Sequence, residues 1–252
     1  MSRAARFVLG PRFVRHYLSR RPVALPPRDG DVQSRQLAGS LSDAATIKAG
    51  FPPLRARYHY NGVENSVLQY VIEHPLREPL CVLDVGSGAG HWIDFYRDVL
   101  GAEHVTGLEL DTGVAEALSR KYEDDPKVSV WQADVVDPLP VPGPFSVVNA
   151  IGVMFHITED ERWEIAVGHL ARVLEPGGVL IVGGQFGPVS HDVGFRARRD
   201  ADGVEVFKRL RSRRHWRSVA ERGGLRYEAY VRTRRTRLFD LPEANLMVFR
   251  RP

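Results

Sequence analysis

Hydrophobic positions change their spacing repeatedly along this chain, and the changes mark its elements. From about Asn65 the apolar residues Val67, Leu68, Val71 and Ile72 follow a helical period that leads to a break at Pro79. Short apolar runs then alternate with helix-spaced stretches. Strands are predicted at 81–85, 104–110, 128–132, 145–151 and 179–183, and helices at 91–100, 112–122 and 159–174, the last stopped by Pro176-Gly177-Gly178. Strands that alternate with helices imply parallel pairing through right-handed crossovers. A polar stretch follows, then a predicted helix at 212–222 closed by Gly223-Gly224, and strands near 225–231 and 244–249. The expected fold is α/β: a doubly wound, mostly parallel seven-stranded sheet with helices on both faces.

Residues 1–60 follow another pattern, with prolines and glycines punctuating short amphipathic pieces. They read as an irregular N-terminal extension, and 61–252 as the folded domain. The Arg-rich first twenty residues are too interrupted for a signal-peptide core or a membrane span, so a cytoplasmic location is expected. A single cysteine, Cys81, cannot form an internal disulfide and sits in an apolar run, as a structural thiol does. The net charge of +4 is modest for a dedicated nucleic-acid binder.

Candidate chemistry is concentrated where the first predicted strand ends. Val82-Leu83-Asp84-Val85-Gly86-Ser87-Gly88-Ala89-Gly90 runs a buried strand into a glycine turn that opens a helix, and glycines there let the backbone approach a ligand without Cβ interference. The spacing is G-x-G-x-G, whereas a dinucleotide loop would show G-x-G-x-x-G, so a nicotinamide cofactor is disfavoured. The second strand ends in Glu109 about twenty positions further on, where a carboxylate can accept both hydroxyls of a ribose. Asp111 fits a helix cap, because a helix pattern starts at Thr112.

This set resembles the class I methyltransferases that use S-adenosylmethionine, from about residue 65 to 183. The resemblance implies that Asp84, Gly86, Ser87, Gly88 and Gly90 wrap the methionine part of the cofactor and that Glu109 holds its ribose. Val130-Trp131-Gln132-Ala133-Asp134-Val135 resembles the family segment in which an Asp meets the adenine amino group, here Asp134, and a neighbouring backbone amide, that of Val135, meets the ring. Asp137, before Pro138, reads as a turn residue. Ser146 departs from the family's usual Phe-Asp at the start of the fourth strand. Gly152-Val153-Met154-Phe155-His156-Ile157 resembles a segment of small-molecule methyltransferases, with a histidine near the reacting methyl. The Asn-Pro-Pro-aromatic signature of exocyclic-amine enzymes is absent, since Asn149 precedes Ala150-Ile151.

The expected activity is methyl transfer to a small acceptor. For a hydroxyl acceptor His156 is the candidate general base, the alternative being a histidine that packs and hydrogen-bonds within its loop. His91 and His191 have no metal-ligand company, and no metal is expected. Arg55, Arg57, Tyr58, His59 and Tyr60 read as a lid over the site or as a packed linker before the first core helix. The run Arg232-Thr233-Arg234-Arg235-Thr236-Arg237 suits a carboxylate- or phosphate-bearing acceptor, against the alternative of a solvated charge run. An RNA or protein methyltransferase is the competing reading, on Arg209, Arg213 and Arg217 at helical spacing. A non-catalytic S-adenosylmethionine-binding protein is the second alternative.

Overall fold

A computed structural model of the chain describes residues 53–184, 186–187, 193–200, 203–232 and 245–252. The order is α1 (Pro53–Glu73), β1 (Cys81–Val85), α2 (His91–Asp94, widening into a π turn at Phe95–Val99), β2 (His104–Glu109), α3 (Thr112–Lys121) and β3 (Val128–Gln132). Then come β4 (Phe145–Ile151), a 3-10 turn (Met154–His156), α4 (Asp160–Arg172), β5 (Leu174–Gly183), β6 (Phe186–Gly187), β7 (Val193–Asp200), β8 (Gly203–Ser212), α5 (Arg213–Arg222), β9 (Arg226–Val231) and β10 (Leu246–Arg250).

Seven strands form one sheet in the order β3-β2-β1-β4-β5-β10-β9, as the alternation implied. The first five are parallel, and β10 runs antiparallel to both of its neighbours. Alternate strand residues feed two separate cores. Leu83, Val148, Leu180 and Phe249 pack with Trp163, Val167 and Leu170 of α4 and Trp216 and Val219 of α5. Val82, Val147, Ile181 and Val248 pack on the other face with Val63, Val67 and Tyr70 of α1, Trp92 and Tyr96 of the α2 region and Leu118 of α3. Helices therefore cover both faces, which is why the strands read as apolar runs rather than as an alternation.

Three expectations change. Helix α1 starts at Pro53, a residue suited to the first helical position, so the boundary drawn near residue 60 falls inside a continuous helix and Tyr60 lies within it. Residues 1–52 lie outside the described residues. The stretch after β5 contains β6, β7 and β8, a small sheet of order β6-β8-β7. Its strands are charged, as in Val193-Gly194-Phe195-Arg196-Ala197-Arg198, so they give no apolar run to find. Arg209 consequently sits on β8, and only Arg213 and Arg217 of the presumed helical trio are on α5. Those two lie over the rings of Tyr230 and Tyr227, at 4.4 and 5.1 Å, and Arg217 also pairs with Glu221.

Two polar devices tie distant elements together. Ser146 Oγ donates to the carbonyl of Cys81 and accepts from its amide, at 2.9 and 2.8 Å, so the departure from Phe-Asp places a hydroxyl that stitches β4 to β1. At the end of the sheet remote from the glycine loop, the Tyr70 hydroxyl donates to Glu228 (2.8 Å), and Arg250 bridges Glu228, Tyr70 and the carbonyl of Gly177. The Arg250 guanidinium holds the Glu228 carboxyl below its ordinary 4.5, against the upward push of burial. No helix among the described residues is long and apolar enough to cross a membrane.

Removing one partner of this half-buried pair strands the other. Arg250→Met is expected to lower stability by about 2–3 kcal/mol at pH 7 in urea unfolding. Because the folded-state value of Glu228 is depressed, its contribution is present above pH 4.5 and fades as pH falls through that lowered value. The gap between variant and wild type should therefore narrow in acid, and a gap that is constant from pH 7 to pH 3 would count against the assignment.

Candidate active site

The glycine loop is built on β1 and laced to β2. The amides of Gly86 and Ser87 donate to the carbonyl of Leu108 (2.7 and 3.2 Å), and the Gly88 amide donates to Glu109 Oε2 at 2.9 Å. Ser87 Oγ donates back to the Asp84 carbonyl, and Gly90 N to the Ser87 carbonyl. Gly86, Gly88 and Gly90 have φ of 69°, 54° and 86°, in the left-handed region that favours glycine. A Cβ on Gly86 would lie 2.5 Å from Val153, and one on Gly90 would run into the Tyr122 hydroxyl. On β2, Gly107 is also required: a Cβ there would lie 2.9 Å from Ser87 Oγ.

Asp84 is fully buried, and its Oδ1 accepts from Asn149 Nδ2 at 2.7 Å. Its Oδ2 has no hydrogen-bond partner among the described residues. Burial pushes this carboxyl up to about 7; the Asn149 and Ser87 hydrogen bonds pull it down, and the charge of Glu109 adds to the rise. A buried acceptor left open in this way suits a ligand that brings a positive charge or a donor.

Glu109 joins the loops. Besides Gly88, it accepts the amides of Leu110 and Asp111 through Oε1, and its own carbonyl takes the Ala133 amide after β3 (3.0 Å). Three bonds leave this carboxylate capacity for a further donor. Asp111 caps α3 through Val114 N, as its position implied. Asp134 Oδ1 accepts from Val136 N at 2.9 Å and its Oδ2 lies 3.0 Å from Arg162 Nη2. Val135 is buried, and its carbonyl lies 3.2 Å from His169 Nδ1. Leu110, beside Glu109, is 60% exposed, an apolar surface at the mouth.

His156 ends the 3-10 turn after β4, exposed, with its ring 4.5 Å from that of Phe155. Val153, at the start of this turn, is the residue that a Cβ on Gly86 would strike, so the turn borders the glycine loop. His191 and residues 233–237 of the arginine run lie outside the described residues, as do the side chains of residues 55–59. Among the described residues no three His, Cys, Asp or Glu groups are placed to share a metal ion.

Several supporting groups were not evident from the sequence. Asn149, the partner of Asp84, is a lone amide in an apolar strand, and that isolation was the available signal. From α3, Lys121 donates to the Ala89 carbonyl (3.0 Å) and the Tyr122 hydroxyl donates to Asp94 (2.7 Å) and lies 3.2 Å from the Gly90 carbonyl, holding the far side of the loop. Tyr60 of α1 stacks on His91, ring centres 3.9 Å apart, and Glu64 Oε1 lies 3.0 Å from His91 Nε2. Burial, with the Asp84 charge second, pushes the Tyr60 hydroxyl up to about 12. These groups are far from the motifs in sequence and have no spacing of their own.

The strand order reverses at β1, with β2 on one side and β4 on the other, and open α/β sheets take up nucleotides in the crevice beyond the strand ends at such a point. Fold and site thus define an α/β domain for a nucleoside-bearing cofactor. Residues 82–178 match a family described as "Methyltransferase domain". An uncharacterized protein of Synechococcus sp. is 26% identical over 102 residues, which are 39% of this chain and only 24% of that protein. The S-adenosylmethionine-bound structure of CalS10, an amino pentose methyltransferase of Micromonospora echinaspora, superposes with a TM-score of 0.57 at 19% identity, covering 80% of this chain and 98% of that one. The N-methyltransferase NodS of Bradyrhizobium japonicum, in complex with S-adenosylhomocysteine, gives 0.57 at 13% identity, covering 87% and 98%. Residues 82–178 thus match a methyltransferase domain, and the chain shares the fold of class I methyltransferases that bind S-adenosylmethionine.

Two outcomes follow from this geometry. Gly86→Ala forces a left-handed alanine against Val153 and should cost about 2 kcal/mol in thermal or urea unfolding, with loss of S-adenosylhomocysteine binding in calorimetry. A variant that binds like wild type would show that the loop tolerates the side chain. The second concerns pH. A raised folded value means that Asp84 favours the fold most below pH 3.8 and that this contribution is lost as pH rises through about 7. A ligand that prefers the carboxylate behaves oppositely, so affinity should climb with pH, by up to about tenfold per unit, and level off above 7. Titration at pH 6 and pH 8 should show the difference in wild type and not in Asp84→Asn.

Proposed function

We propose that this protein transfers the methyl group of S-adenosylmethionine to a small acceptor that carries a carboxylate or phosphate group. The observation that carries the cofactor half is the open, fully buried Asp84 oxygen beside the left-handed glycine loop. In this reading Asp84 faces the cationic methionine end, Glu109 accepts from the ribose, and Asp134 with the Val135 amide reads the adenine. Gly86, Ser87, Gly88 and Gly90 keep the backbone low enough for the ligand to lie against it. Bound there, the cofactor supplies an electrophilic methyl on a sulfonium sulfur.

The acceptor half is supported by a cluster beyond the carboxyl ends of β4 and β5. Among the described residues, Arg209 and Arg211 of β8 both pair with Asp160 at the start of α4, at 2.9 and 2.8 Å. Arg211 is 1% exposed, with its guanidinium 4.4 Å above the Trp163 ring. The two arginines line a narrow, water-sized cavity with Phe155, Phe186 and Trp216, next to the turn that ends at His156. Two guanidinium groups among aromatic walls suit a carboxylate or phosphate of the acceptor. His156 takes the proton that a hydroxyl acceptor loses, while exclusion of water and alignment of the two reactants supply the rest of the rate. Tyr60 ties α1 to His91 at the end of the glycine loop, in keeping with a lid function for the segment that leads into it. CalS10 acts on an amino pentose, which fits a small acceptor.

The test is calorimetry with S-adenosylmethionine, S-adenosylhomocysteine and NAD, followed by methyl transfer to panels of small carboxylates, phosphates and uncharged analogues. Binding of the first two, weakened at least tenfold in Glu109→Ala, is expected. Binding of NAD alone, or of none, would overturn the cofactor reading. For an anionic acceptor, Arg209→Gln should raise KM at least tenfold, and for a hydroxyl acceptor His156→Ala should lower kcat on the order of a hundredfold with KM little changed. Transfer to RNA alone, falling steeply with salt, would favour the macromolecular alternative.

A further inference from the structure

Asp134 is held from one side by helix α4 at two points seven residues, or two helical turns, apart. Arg162 Nη2 lies 3.0 Å from Asp134 Oδ2, and His169 Nδ1 lies 3.2 Å from the Val135 carbonyl, so one face of α4 grips the segment that follows β3. The other carboxylate oxygen, Oδ1, accepts the Val136 amide at 2.9 Å, and the Asp137 amide donates to the Asp134 carbonyl at 3.0 Å. A carboxylate anchored through both oxygens cannot rotate, and one paired with a guanidinium offers only acceptors. Each oxygen keeps a lone pair beyond the one in use.

We infer that Arg162 is a positioning residue that sets the nucleobase selectivity of the cofactor site, by fixing the orientation of the Asp134 carboxylate toward the donor of a 6-amino purine. The inference rests on the reading of Asp134 as the adenine ligand. A 6-amino group donates to such a carboxylate. A 6-oxo group presents a second acceptor and is repelled, and a site built around one hydrogen bond discriminates strongly against the analogue that lacks the donor. Without Arg162 the Asp134 side chain is free to turn at Oδ2, and the distinction weakens. The Arg162 side chain is 54% exposed and that of Asp134 26%, so the pair contributes little to stability and its removal leaves the fold intact.

The experiment compares the affinities of S-adenosyl-L-homocysteine and S-inosyl-L-homocysteine by calorimetry in wild type, Arg162→Ala, Arg162→Lys and Asp134→Ala, with melting temperatures as a control on folding. Wild type should favour the adenosyl compound at least tenfold. Arg162→Ala should cut that ratio by about three- to tenfold at an unchanged melting temperature, and Arg162→Lys should restore part of it. A ratio in Arg162→Ala equal to that of wild type, alongside a collapse in Asp134→Ala, would overturn the role of Arg162 and leave Asp134 as the adenine ligand. A ratio that survives Asp134→Ala would overturn the adenine assignment together with the inference.

Discussion

The site depends on three amide groups of the glycine loop finding acceptors at the end of the neighbouring strand. Two go to the Leu108 carbonyl and one to the Glu109 carboxylate. This requires β1 and β2 to lie in parallel register, with Asp84 opposite Gly107 and Val85 opposite Leu108. It also requires a residue without a side chain at position 107, since Ser87 occupies the space a Cβ would take. Once the loop is fixed in this way, its left-handed glycines follow, and so does the entry into α2. Glu109 becomes the hinge of the whole rim, because its carbonyl also orders the start of the β3 loop.

Electrostatically the rim opposes the rest of the molecule. The chain as a whole is basic, with a pI near 9.4, yet the carboxyl ends of β1, β2 and β3 carry Asp84, Glu109 and Asp134. Burying Asp84 with one oxygen open is unfavourable in the absence of ligand, and the carboxyl responds by holding its proton up to about pH 7. Asn149 and Ser87 offset part of the cost. On the other half of the sheet the polarity inverts, with two arginines around Asp160.

Much of this was legible in the sequence, for identifiable reasons. Strands buried on both faces are largely apolar, so β1 and β4 begin and end where the pattern placed them, and the partly exposed edge strand β3 was marked by Val128, Val130 and Trp131. The glycine spacing and the acids at strand ends are local, and Asp111 could be assigned to its cap from the residue that follows it. Contacts between residues far apart in sequence were not legible. Tyr122 reaches a loop thirty-two residues earlier, and Arg211 closes on Asp160 fifty-one residues back. The β7–β8 hairpin, whose strands pair with each other, escaped because charged residues interrupt its apolar positions. Residues 55–60 read as a lid or linker before the first helix because their aromatic and cationic residues masked a helix that Pro53 begins.

The antiparallel strand β10 has one more consequence. Leu246 pairs with Gly183 on one side and Val231 on the other, so β5 and β9 both finish at the end of the sheet where the cofactor loop lies. The chain leaves that end at Arg232 and returns to it at Asn245, just as it leaves after Gly183 and returns at Ser212. Two insertions therefore open beside one another, away from β1, β2 and β3. Such a layout lets a lineage exchange either insertion while the pairing of β1, β2 and β3 and the glycine loop stay as they were.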